Sequence, residues 1–118
     1  MNENDLHSEA ERALLGAILI EGSCYNVIPE IETTPDDFLI DFHHDIYMVM
    51  MLCDLPNIVT VPHKLWEQRK LAGKELAYIW NLIADCPNSL DYESYAHVVK
   101  DYSKSRMGIR KPLFKGTV

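Results

Sequence analysis

The chain has 118 residues, 47% hydrophobic and 25% charged, with a net charge of −7. That size suits one domain with one core, and the composition is that of a globular protein rather than a disordered one. The longest apolar run, Ile46 to Cys53, is far short of the roughly 18 residues needed to span a bilayer, and the polar, acidic start (residues 1–7) is not a signal peptide.

Helix signals dominate in chain order. Residues 1–7 read as a disordered tail. Ser8-Glu9-Ala10-Glu11 reads as a capping box, and Ala10, Ala13, Leu14, Ala17 and Ile18 follow helical spacing, so a first helix is expected over about 9–20, ended by Gly22. A short helix over about 24–31 is expected next, limited by Pro29. Thr34-Pro35 pairs an N-cap residue with proline at the first helical position, starting a turn that carries Phe38 and Leu39.

Asp41 can cap a helix over about 42–54, where Phe42, Ile46, Val49, Met50 and Cys53 form one apolar face. After the Pro56-Asn57 break, Thr60 can cap a helix over about 61–71, closed by Gly73. Leu76, Ile79, Trp80, Ile83 and Ala84 define a helix over about 74–86, stopped before Pro87. Asp91 caps a last helix over about 92–107, with Tyr92, Tyr95, Ala96, Val99 and Tyr102 on one stripe. Trp66 and Trp80 are expected in the core, and the segment 108–118 reads as a linker or tail. Asn57 to Val61 is the one β-branched run, too short and isolated for a sheet. The expected fold is therefore all-α, a compact orthogonal bundle of six or seven helices.

Charge is unevenly spread. Residues 1–60 carry 12 acids and one base, Arg12, whereas residues 61–118 carry 6 acids and 10 bases. An acidic body does not favour phosphate backbones, so DNA contact is expected only weakly, through the basic end from Lys100 to Lys115. Cys24, Cys53 and Cys86 are odd in number and widely spaced, which points to free thiols in a reducing cytoplasm rather than a disulfide framework or zinc site.

Catalytic signatures are sparse. No GxxxxGK[ST] loop, GxGxxG or GxSxG stretch occurs. His43-His44-Asp45 is the one constellation resembling a metal-dependent HD phosphohydrolase, with His7 and Asp85 or Asp101 as the further ligands such a site would need. Packing of one histidine and solvation of the other explains the same residues. No catalytic residue, cofactor or metal is expected.

The ordered segments resemble the N-terminal domain of DnaB-type replicative DNA helicases. Ser8-Glu9-Ala10-Glu11 with Leu15-Gly16-Ala17-Ile18-Leu19 looks like that family's opening segment. Pro35-Asp36-Asp37-Phe38 is similar to its PEDF turn, and His43 or His44 with Ile46-Tyr47 to the following helix start. Val59-Thr60-Val61 with Leu65, Tyr78-Ile79 with Leu82, Pro87-Asn88-Ser89 and Tyr95-Ala96-His97-Val98-Val99 continue the likeness, which covers about residues 8–107. Ala72-Gly73-Lys74 departs from the usual Gly-Gly pair, and no linker or ATPase domain is seen within these residues.

The resemblance implies a helical domain that ends in a protruding antiparallel hairpin over about 76–107. It implies a non-catalytic module that pairs with other copies in a dimer or a hexamer collar and binds primase or a helicase loader. Tyr95, Val99 and Tyr102, with Ile79, Leu82 and Ile83 opposite, are the interface residues so implied. Two other readings are a stand-alone adaptor or inhibitor of a host replication helicase and the small HD-type phosphohydrolase.

Overall fold

A computed structural model describes residues 3–22 and 33–106. Among these there are five α-helices, two one-turn 3₁₀ segments and no strand. The helices are α1 (Glu3–Ile20), α2 (Asp41–Met50), α3 (Thr60–Glu67), α4 (Gly73–Ala84) and α5 (Tyr92–Arg106). The 3₁₀ turns are Pro35–Asp37 and Ser89–Asp91. The all-α expectation holds. The expected helix over 24–31 and Cys24 lie outside the described residues; Cys53 and Cys86 are free thiols.

The sequence of α1 explains its central place. Leu14, Leu15, Ala17, Ile18 and Leu19 are all buried, which puts apolar side chains all round the helix rather than on one stripe. Such a helix must be surrounded, and α2, α4, α5 and the Ser89 turn all lie against it. The core they enclose adds Phe38, Ile46, Tyr47, Val49, Met50, Val61, Leu65, Ile79, Leu82, Ala96 and Val99.

Several boundaries differ from the sequence reading. The first helix begins at Glu3 rather than at about residue 9, and so absorbs most of the expected tail. Ser8 lies inside the helix. Tertiary contacts supply the reason: His7 is buried, stacked on Tyr102 of α5 at 5.2 Å, and holds the first turns in helical register. For α3, Asn57 is the working cap, because its Oδ1 accepts from the amides of Val59 (2.8 Å) and Thr60 (2.9 Å).

α3 also stops early. It closes in a Schellman arrangement, with the amide of Lys70 donating to Leu65 O and that of Arg69 to Trp66 O. Arg69 occupies the left-handed position (φ 59°) where glycine is favoured, while Gly73 instead opens α4. Because a non-glycine residue pays about 1 kcal/mol or more there, Arg69→Gly is expected to raise stability by about 0.5–1 kcal/mol, net of glycine's extra unfolded-state entropy. A shift of the urea midpoint to higher concentration, with unchanged slope, is the measurement.

α4 and α5 both pack on α1. The buried α1 offers each of them an apolar wall. The expectation for the two tryptophans is corrected, since Trp66 is 66% and Trp80 58% exposed. Each directly follows a buried residue, Leu65 and Ile79, and one step along a helix rotates the side chain by about 100°, away from the core.

Candidate interaction surface

The residues most able to do chemistry are found inside the protein, consumed by one another. Glu11 is fully buried and accepts four hydrogen bonds. Its Oε2 takes the Leu39 amide and His7 Nε2 (2.8 Å), and its Oε1 takes the Ile40 amide (3.3 Å) and His43 Nδ1 (2.7 Å). The two amides lie just ahead of α2, so a side chain from α1 satisfies backbone donors where α2 begins. Burial works to raise the Glu11 pKa, but the hydrogen bonds from His43, His7 and Leu39 outweigh it and lower it from 4.5 to about 2.

His43, with no exposed surface, is held on its other side by the Tyr78 hydroxyl, 2.6 Å from Nε2. Burial pushes the Tyr78 phenol up, so the phenol keeps its proton and donates. That leaves the Nδ1 proton of His43 for Glu11, an assignment made from the bonding pattern.

Asp37 forms a second interior node. Its carboxylate accepts from the Thr34 amide (2.8 Å), Ser103 Oγ (2.7 Å) and Lys100 Nζ (3.2 Å), joining the Pro35 turn to α5.

The His-Asp constellation is drawn into these nodes and into surface ion pairs. Both nitrogens of His43 are engaged, Asp45 faces Lys70 (3.5 Å), Asp85 pairs with Arg12 (3.0 Å), and His7 serves Glu11. The residues that would have to converge on an ion are turned to four different tasks. Among the described residues no group of three or more His, Cys, Asp or Glu side chains could hold a metal ion.

The implied interface residues are also relocated. Ile79, Leu82 and Val99 are core residues with essentially no exposed surface. Ile83 and Tyr95 are half-buried against that core, and the Tyr95 hydroxyl donates to Asn88 O at 2.9 Å. Tyr102 is half-buried on His7. Ile79, Leu82 and Val99 thus belong to the core, while Ile83, Tyr95 and Tyr102 keep part of their surface open.

A group of exposed apolar side chains is found elsewhere among the described residues. Where α2 ends and the loop to α3 begins, Met51, Leu52, Leu55 and Val59 all stand open, Leu52 at 59% and Val59 at 72%. With Thr60, His63 and Lys64 the last three line an open groove of about 550 Å³. Scattered exposed leucines need no explanation, but a contiguous apolar group rimmed by polar side chains is the usual mark of an interaction surface. The sequence reading missed it because it extended α2 to about 54 and assigned Cys53 to its apolar face. The run Met50-Met51-Leu52-Cys53 followed by Leu55, too apolar for a loop facing water, was the available signal.

The family model described as the DnaB-like helicase N terminal domain matches residues 3–101. The "Replicative DNA helicase DnaC" of Bacillus subtilis (strain 168) is 30% identical over 109 residues, which is 86% of this chain and 23% of that protein. The chain thus corresponds to under a quarter of that relative's length. With residues 3–101 matched by the family model and 86% of the chain by that relative, this chain belongs to the family of DnaB-like helicase N-terminal domains.

Proposed function

We propose that this domain is a non-catalytic assembly and docking module of a replicative DNA helicase, acting in the cytoplasm. It joins other copies in a dimer or hexamer collar and offers the collar to primase or a helicase loader. The observation that supports this reading most directly is the open apolar group Met51, Leu52, Leu55 and Val59. With Glu11, His7, His43 and Tyr78 occupied with one another, that surface is a feature of the described residues open to act on something else. Its chemistry, an apolar group edged by Asp54, His63 and Lys64, suits a protein partner rather than a phosphate backbone.

The replacement of Leu52 and Val59 by glutamate tests it. Both side chains are exposed, so thermal unfolding should stay within a few degrees of the parent. Self-association followed by light scattering at rising concentration, or binding to primase or a loader in pull-down, should fall at least about tenfold, as for loss of an interface anchor. A parent chain that stays monomeric at millimolar concentration and binds neither partner would overturn the reading.

A further inference from the structure

Three methionines lie close together at the end of α2, and the fold treats them differently. Met48 is 43% and Met51 54% exposed, whereas Met50 has no exposed surface. Met51 caps α2 in a right-handed helical conformation, its amide donating to Tyr47 O, and the amide of Leu52 donates to Val49 O. The helical path therefore runs on through Met51 to Leu52. Spacings of three and four residues put Met48, Met51 and Leu52 on one face. Met50, one step before Met51, is turned by about 100° into the core. The exposed face leads to the groove lined by Leu52, Leu55 and Val59.

We propose that Met48 and Met51 form a reversible oxidation site that switches this docking surface off while the domain stays folded. The inference rests on the docking role given to the surface above. The step is a two-electron oxygen transfer from a peroxide. The thioether sulfur attacks one peroxide oxygen, an S–O bond forms and the O–O bond breaks. The hydrogen on the transferred oxygen passes to the departing hydroxide, which leaves as water. Sulfur is oxidised and the peroxide reduced.

Exposure decides which sulfurs react and what the product does. Oxidation of methionine follows access, so Met48 and Met51 are open to a peroxide and Met50 is sealed from it. A sulfoxide is polar, unlike the flexible apolar thioether it replaces. On a side chain standing in water the new oxygen is hydrated, and folding is little affected. Pressed against the apolar surface of a partner, the same oxygen loses its water and meets no donor, which disfavours docking. Cys53 lines the same groove as a half-buried thiol, so its oxidation has to be separated from that of the methionines.

The test treats the intact chain with hydrogen peroxide and then with dithiothreitol, which reverses disulfides and sulfenic acids but leaves sulfoxides. Tandem mass spectrometry should find Met48 and Met51 oxidised well before Met50. Self-association in light scattering, and capture of primase or a loader, should weaken about tenfold, the effect of one polar group buried without a partner. The melting temperature should stay within a few degrees of the untreated chain, because both side chains are exposed. Methionine sulfoxide reductases should restore binding. A chain carrying Met48→Leu and Met51→Leu keeps the apolar face and retains Met1, Met50 and Met107. It should bind normally both before and after peroxide. An oxidised parent that binds as before, Met50 reacting as fast as its neighbours, or a double leucine variant that loses binding equally on oxidation would overturn the proposal and leave the docking role standing. An untreated parent that neither self-associates nor binds either protein would instead remove the docking role, and this proposal with it.

Discussion

Replacing Glu11 by alanine is expected to lower the folding stability by about 3–5 kcal/mol, the penalty for breaking a buried, multiply bonded charge. Two backbone amides and two imidazole N–H groups would be left facing a void. Domains of this size have about 5–15 kcal/mol to lose, so the variant should be partly unfolded at physiological temperature. Glu11→Gln keeps the shape but turns an amide NH₂ toward donors, and should lose about 2–3 kcal/mol, the penalty for leaving buried donors unpaired. Urea unfolding of the three proteins at neutral pH checks the order.

The same carboxylate gives a pH signature. Its folded pKa, about 2, lies below the ordinary 4.5. A depressed carboxylate stabilises the fold fully above the unfolded value and loses that contribution as pH falls through the folded one. Stability should therefore decline by about 3 kcal/mol between roughly pH 4.5 and pH 2. In Glu11→Gln that part of the decline should vanish. A parent and a glutamine variant with parallel acid profiles would show that Glu11 is not the hub.

Gly16→Ala should have an effect of similar size for a steric reason. A Cβ at this position would overlap the backbone carbonyl of Leu82 and press on Cys86 Cβ at 3.2 Å. The obstacle is main chain, which cannot rotate away, so α4 must be displaced from α1. Overpacking of this kind costs typically about 1–3 kcal/mol and sometimes more, outweighing the helix propensity gained over glycine, about 1 kcal/mol. Calorimetry should show a lower melting temperature. Exposure of Ile79 and Leu82 should rise, seen as faster amide exchange along α4 with α3 unaffected. A neutral or stabilised variant would mean that α4 does not approach α1 so closely.

Much of the architecture could be read from residue spacing. Helical periodicity, the Thr34-Pro35 start and the Pro87 stop depend on local backbone preference, and local preference is written in consecutive residues. The core positions Leu14, Ile18, Ile46, Val61 and Leu65 followed for the same reason. Glu11 shows where local reading ends. As part of Ser8-Glu9-Ala10-Glu11 it fits a capping box, yet its oxygens serve Leu39, Ile40 and His43, 28 to 32 residues away. A carboxylate satisfies whichever donors tertiary packing brings near, and spacing along a chain does not contain that information.

The position of the open apolar group was decided in the same way. Periodicity identifies an apolar face on α4 and α5 but does not say what covers it. Packing on α1 places Ile79, Leu82 and Val99 in the core. By itself the sequence determined an all-helical domain of this family, with its helices nearly placed, because those properties arise from short-range backbone and side-chain preferences. Only the tertiary structure decided which apolar side chains stay in water, which polar ones meet inside, and that Arg106 ends its helix against His7, because each depends on contacts between segments distant in the chain.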